Sequence, residues 1–355
     1  MSAEDTQGKK NFTLKELDGS RVEITVEIPS SDFDKHRAGA IRRLGEAVHI
    51  DGFRKGHIPE SVLLSKVGEG TILQETAEMA IAEFYLKTLQ EEKVEAIGKP
   101  SITITKMARG NPLGIKIVTA VLPKVLLPDY GALASKINAK KIEVADVADK
   151  EVDDTLGEIQ KNFTRAGKSE KTEPPGKEEK VPELTDEFAQ KLGDFKTVAD
   201  LKKKVRENLG KEKEMKVREK RRLEIIESIL KEVSITIPDI LIESEIEKML
   251  AQFKESITSM GLTMEGYFSH IKKTEEDMKK EWKGEAEKRV KTQLVLAEIA
   301  RAEKIQVPED ELSREVERLL SRHKDASLDR ARAYVENILT NEKVLQLLEQ
   351  QGKSV

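Results

Sequence analysis

Ile50-Asp51-Gly52-Phe53-Arg54-Lys55-Gly56-His57-Ile58-Pro59 places a large aromatic and two cations between two glycines, and a proline then closes the segment. Glycine permits positive φ and tight curvature, and proline is well placed at the start of a following helix. The stretch therefore reads as a loop between two helices, with Phe53, Arg54 and Lys55 at its tip. An exposed aromatic beside fixed charge points to a docking surface. The alternative is an ordinary turn whose phenyl ring tucks back into the core.

On the N-terminal side, Ser31 is placed to cap a basic helix over 32–47, with Asp34 three residues on as a weak capping box. Between Lys35 and His57 the cations Lys35, Arg37, Arg42, Arg43, Arg54 and Lys55 face only Glu46 and Asp51, a local charge of +4 in a chain of net charge −4. Such a concentration suits a phosphate backbone together with an acidic protein partner. A merely solvated helix face is the plainer reading of the charges by themselves. Before that helix, Phe12, Leu14, Val22, Ile24, Val26 and Ile28 alternate around Asp18-Gly19, the pattern of a β-hairpin over 12–28. On the C-terminal side, Pro59 opens a short helix ending near Gly68, and Thr71 caps a longer one to about Val94. Strands near 101–106 and 113–122 complete a small α+β domain.

Pro123 and Pro128 mark an exit from that domain, and 140–163 turn helical from about Asp146. Thr164 to Val181 holds nine charged residues in eighteen, with Pro174-Pro175 and almost nothing apolar. That composition cannot offset its chain entropy by burial and predicts an extended or disordered linker. From Pro182 the pattern is helical. Val198, Leu201, Val205 and Leu209 open a long amphipathic helix that Gly210 is placed to bend. Further helices start at Pro238 (stopping at Gly261), at Thr274 with Asp277 (to about Glu303), at Pro308 and at Ser327. Helices this long make arms or the walls of a groove, so the expected fold is an α+β N-terminal domain followed by a mainly α-helical, elongated domain.

Composition narrows the function. Charged residues form 36 % and aromatics 4 %, which suits solvated helices better than a compact α/β enzyme core. The near-neutral total argues against general nucleic-acid binding. With no cysteine, thiol catalysis and thiolate metal sites are excluded. A polar Met1–Asn11 and no long apolar run predict a cytoplasmic protein without a membrane partner. His36, His49, His57, His270 and His323 show no metal-ligand spacing, and neither a phosphate-binding glycine loop nor a nucleophile elbow occurs. The acids lie in i,i+4 patterns with Lys and Arg. No catalytic or metal site and no cofactor is expected.

The same residues resemble the bacterial trigger factor family of ribosome-associated folding chaperones. Val48 to Pro59 carries in full that family's Gly-Phe-Arg-x-Gly-x-x-Pro signature, although His57 and Ile58 stand where lysine and valine are common. Further likeness lies in Pro123-Lys124-Val125-Leu126-Leu127-Pro128-Asp129-Tyr130, in Pro182-Glu183-Leu184-Thr185-Asp186-Glu187-Phe188-Ala189, and in Glu285-Ala286-Glu287-Lys288-Arg289-Val290-Lys291. The resemblance implies a ribosome-binding domain over 1–122, a connector over 123–163, a linker over 164–181 and a helical substrate cradle over 182–355. It also implies that Arg54 and Lys55 pair with ribosomal RNA phosphate or an acidic ribosomal protein near the exit tunnel of the large subunit, while Phe53 wedges into an apolar crevice. Gly52, Gly56 and Pro59 would shape the tip, and Arg42 and Arg43 would support it. Unfolded nascent polypeptides are the implied clients, and a homodimer away from the ribosome is compatible with the likeness. Met249, Phe253, Met260, Met264, Tyr267 and Phe268 fit shallow, adaptable client contacts released without ATP. Packing between consecutive helices is the alternative for each.

One departure is large. The family carries an FKBP-type peptidyl-prolyl isomerase domain where this chain has only the 164–181 linker. That activity needs an aromatic-lined pocket, and Phe163 is the only aromatic between Tyr130 and Phe188. The expectation is therefore a chaperone without isomerase activity. Competing readings are a residual isomerase, a periplasmic-type helical chaperone, a free cytosolic holdase that does not bind ribosomes, and a nucleic-acid-binding module.

Overall fold

Alternation in the first thirty residues dictates a sheet with one buried face. In the computed structural model, which describes residues 12–50, 53–54, 57–140, 146–166, 183–323 and 326–352, the chain begins with β1 (Phe12–Leu17) and β2 (Arg21–Ile28). There follow α1 (Ser30–Asp34), α2 (Arg37–Ala47), α3 (Glu60–Glu91), β3 (Ala96–Lys106) and β4 (Leu113–Val121). The remainder is helical: α4 (Tyr130–Asn138), α5 (Asp149–Ala166), α6 (Asp186–Leu192), α7 (Val198–Glu232) and α8 (Asp239–Ser259). Last come α9 (Met264–Ile271), α10 (Glu275–Ala302), α11 (Glu309–Arg322) and α12 (Leu328–Gln350).

These elements group into two compact units, each drawn from two stretches of chain. The first comprises Met1–Leu126 with Ser234–Val295, the second Leu127–Val233 with Leu296–Val355. The sequence reading runs one helical domain from 182 to 355; the contacts instead divide that stretch between the units.

In the first unit the four strands are antiparallel in the order β1-β2-β4-β3. Ile24, Val26 and Ile28 of β2 and Leu113, Ile115 and Ile117 of β4 face Phe33, Ala77, Ala80 and Ile81 from the helices. The hairpin turn works because Gly19 and Ser20 both take positive φ, 78° and 51°. β3 starts at Ala96, earlier than the expected 101. Gly98 at φ 70° and a register shift between Ile97 and Ser101 carry the strand past Lys99-Pro100, and proline is tolerated because β3 is an edge strand.

The basic helix differs from its expected form. Ser31 is not its cap: Pro29 precedes α1, no side chain caps it, and the chain breaks at Lys35-His36 before α2. α3 is interrupted at Gly68 (φ 82°, ψ 157°), as the sequence suggests, but helix resumes before Thr71, whose hydroxyl donates to Val67 O at 2.7 Å. Helices α8 and α10 share a core of Ile242, Ile246, Met249 and Ala286, and Lys279–Glu247 (2.7 Å) and Lys254–Glu275 (3.3 Å) cross between them. The segment before α8 meets the β1–β2 turn, where Ser20 Oγ donates to Thr236 O at 2.8 Å. At Gly98 an added Cβ would strike Ile240 Cδ1.

The second unit is helical. Val152 and Leu156 of α5, Ala189 of α6, and Leu201 and Val205 of α7 form one core, with Phe163 edge-on to Phe188 at 5.3 Å. Capping boxes begin α7 at Thr197/Asp200 and α10 at Thr274/Asp277. Gly210 does not interrupt α7, which runs for 35 residues, about 52 Å at 1.5 Å per residue. Asn138 Nδ2 donates to Leu348 O and Gln351 O, both at 2.9 Å, and so satisfies the carbonyl end of α12. Thr164–Ala166 are the last turn of α5; the rest of the expected 164–181 linker lies outside the described residues.

Candidate binding surfaces

The loop after α2 is held at its base. Ile58 is 8 % exposed and Leu63 fully buried, so the segment is pinned just beyond its tip. The Phe53 N–H donates to Ile50 O at 3.2 Å and the His57 N–H to Arg54 O at 3.0 Å. Phe53 is 39 % exposed and Arg54 and Pro59 are exposed, so the phenyl ring does not return to the core. Gly52, Lys55 and Gly56 lie outside the described residues.

The basic helix is less basic in space than in sequence. Arg37 makes hydrogen bonds to both Glu69 (2.7 and 2.9 Å) and Glu60 (3.0 and 2.8 Å). The bond to Glu69, and then that to Glu60, raises the guanidinium's pKa further. Lys35 pairs with Glu83 at 2.7 Å. Arg43 Nη1 sits 2.9 Å from Glu75 Oε1, an ion pair without hydrogen-bond alignment. All four acids are on α3, which therefore cancels much of the positive charge on the segment packed against it. Among the described residues of the stretch, Arg42 and Arg54 keep no acidic partner within 4.0 Å and are exposed. Arg42 and Arg54 are thus its described cations without an acidic partner, while Arg43 is engaged by Glu75.

The apolar candidates divide as well. Met249 is 8 % exposed inside the α8–α10 core. Phe253 is half-buried and stacks edge-on with Tyr267 (5.2 Å) and Trp282 (5.6 Å), and Tyr267 meets Phe268 at 6.2 Å. Met264, Tyr267 and Phe268 are half-buried. Met260 is 71 % exposed, and beside it Leu262, absent from the sequence candidates, is 53 % exposed. Their exposure follows from the turn: Gly261 at φ 76° ends α8, with Leu262 N–H donating to Ile257 O, and Thr263 caps α9. The Gly261-Leu262-Thr263 order, an apolar residue trapped between a stop and a start signal, is the cue that could have singled out Leu262.

Two family models match, described as bacterial trigger factor protein over residues 10–159 and bacterial trigger factor protein C-terminus over residues 197–350. The chain belongs to the bacterial trigger factor family. Trigger factor of Carboxydothermus hydrogenoformans is 27 % identical over 86 % of this chain and 89 % of its own length. That of Staphylococcus saprophyticus is 24 % identical over 97 % of each. A solved trigger factor chaperone, described by its promiscuous substrate recognition in folding and assembly, covers 96 % of this chain with a TM-score of 0.56. At 21 % identity that likeness shows the fold: a small N-terminal sheet domain followed by long helices. By family the protein is a ribosome-associated chaperone. Among the described residues no helix is long and apolar enough to cross a membrane, and no group of three or more His, Asp or Glu could hold a metal ion.

Proposed function

We propose that this trigger factor docks on the large ribosomal subunit, beside the tunnel exit, through the Gly52–Pro59 loop and shields nascent chains on its helices without ATP. The observation that carries the docking is an exposed Phe53 next to an unpaired Arg54, on a loop whose base is buried at Ile58. Burying Phe53 in an apolar crevice and pairing Arg54 with phosphate or carboxylate supplies area and charge together. Lys55 adds a second cation to the tip, and Arg42 a third contact from the supporting helix. Met260, Leu262, Met264, Tyr267 and Phe268 offer adaptable apolar contact to unfolded clients, with Phe253 backing the aromatic rings and Met249 acting through the core beneath.

The reading includes a cytoplasmic location and no isomerase reaction. The matched family models flank residues 160–196. The Carboxydothermus alignment, at 384 positions, is longer than the chain, so part of that relative has no counterpart here. Both observations favour a form built from docking domain and helices alone. Co-sedimentation of the Phe53→Ala/Arg54→Ala/Lys55→Ala variant with ribosomes tests the docking. Loss of pelleting with an unchanged circular dichroism spectrum is expected; salt-sensitive pelleting by the folded variant refutes the assignment.

A further inference from the structure

Arg37 opens α2, and its guanidinium spans a break in the neighbouring helix. Nε and Nη2 donate to one oxygen of Glu60 at 3.0 and 2.8 Å, while Nη1 and Nη2 donate to the two oxygens of Glu69 at 2.7 and 2.9 Å. These acids stand on opposite sides of Gly68, where α3 leaves helical geometry at φ 82° and ψ 157°. That backbone region is essentially glycine's own, and an added Cβ would meet nothing there within 4 Å. Gly68 is therefore a joint with open space around it.

The joint matters because of what hangs from it. Residues 60–67, about 12 Å of helix, are the outgoing leg of the loop that carries Phe53 and Arg54; α2 is the incoming leg. One side chain thus ties the incoming leg, the outgoing leg and the body of α3 together. Ile58 and Leu63 are buried and set how deep the outgoing leg sits, and the Thr71 hydroxyl holds Val67 O across the break. Burial of apolar surface is not directional, whereas a forked guanidinium on two carboxylates is. The Arg37 side chain is itself only 13 % exposed, and with two carboxylates on one guanidinium the cluster is net negative. It has no positive charge left to offer a phosphate.

We propose that Arg37 is a positioning residue for docking: by bracing Glu60 and Glu69 across Gly68 it fixes the direction in which Phe53 and Arg54 are presented, and it makes no contact with the ribosome itself. This rests on the docking reading and adds the element that preorganises the tip. Without the brace, the 60–67 leg pivots at Gly68 and the tip points correctly for only a fraction of the time. The apparent affinity then falls by that fraction. Lysine cannot substitute, since an ammonium lacks the planar fork that reaches both acids.

Co-sedimentation titrations of the full chain with ribosomes separate positioning from charge, because Arg37→Gln and Glu60→Gln change the local charge in opposite directions. A brace predicts the same outcome for both, about tenfold weaker binding, with the double variant no weaker than either alone. Arg37→Lys should fall between wild type and Arg37→Gln. Amide hydrogen exchange should quicken over 60–67 in both single variants and stay unchanged over 72–91. The Glu60 side chain is 49 % exposed, so Glu60→Gln tests the brace without threatening the fold. If Glu60→Gln binds as well as wild type or more tightly, the inference fails: Arg37 then acts through its charge or not at all. That result leaves docking standing as long as the Phe53→Ala/Arg54→Ala/Lys55→Ala variant still loses pelleting. Undiminished pelleting by that triple variant overturns the docking reading and the brace with it.

Discussion

Glu349 ties the C-terminal helix of the second unit to its longest helix. Its carboxylate is 11 % exposed and accepts bonds from Arg218 (2.8 and 2.8 Å) and from Arg222 (2.9 and 3.2 Å), while Arg222 also holds Glu342 bidentately at 2.7 Å. Burial alone would raise the Glu349 pKa; the Arg218 and Arg222 hydrogen bonds outweigh it and hold the group at about 2 against an ordinary 4.5. Each unit of depression corresponds to about 1.4 kcal/mol favouring the charged form, so the carboxylate contributes about 3 kcal/mol at neutral pH. Arg218 is 53 % exposed, which screens its share, and about 2–3 kcal/mol is the expected loss in Glu349→Gln.

The sign follows from the depression. The contribution is fully present above the unfolded carboxyl's pKa near 4.5 and fades as pH falls toward about 2. Urea unfolding by far-ultraviolet circular dichroism, with wild type and Glu349→Gln compared from pH 7 down to pH 2.5, reads the difference. Trp282, the chain's single tryptophan, lies in the first unit, so its fluorescence reports whether the loss stays local. A full difference at pH 7 that shrinks below pH 4.5 is expected. An equal midpoint for both proteins at pH 7, or a difference that does not change with pH, refutes the assignment of Glu349 as a charged clamp.

Arg54→Ala should weaken ribosome pelleting more than Arg43→Ala, because Glu75 already occupies Arg43; the reverse order in co-sedimentation would show that the α3 acids release their partners on docking. Gly98→Ala should destabilise the first unit by about 2–3 kcal/mol, seen in Trp282 fluorescence during denaturation, since φ 70° disfavours a Cβ that would also strike Ile240. Met249→Ala should cost about 2–4 kcal/mol by the same readout through the cavity it leaves. Met260→Ser should leave stability within about 0.5 kcal/mol but reduce suppression of aggregation of an unfolded client, measured by light scattering.

Much of this molecule is written locally. The hairpin around Asp18-Gly19, the Gly68 interruption, and the helix starts at Val198, Pro238, Thr274 and Pro308 depend on φ preferences and on side-chain caps reaching three residues along the chain, and all appear where the sequence puts them. The exposure of Phe53 and Arg54 ahead of a buried Ile58 agrees with the local reading of a tip between two helices. Ser31 and Gly210 show the limit: a cap and an interruption are chemically reasonable, but Pro29 stands at the start of α1, and α7 continues through Gly210 with its flanking residues packed against α5 and α6.

Tertiary structure alone decided which charges and which apolar groups remain available. The sequence assigns +4 to the segment from Lys35 to His57, but Glu60, Glu69, Glu75 and Glu83 arrive from α3 to engage Arg37, Arg43 and Lys35, leaving Arg42 and Arg54 among the described cations. Met249 and Met260 carry the same side chain about three helical turns apart, and only the packing of α8 on α10 buries one while the other stays exposed. Periodicity and caps act over three or four residues and can be read in order; ion pairing and burial are settled by whatever the fold brings alongside.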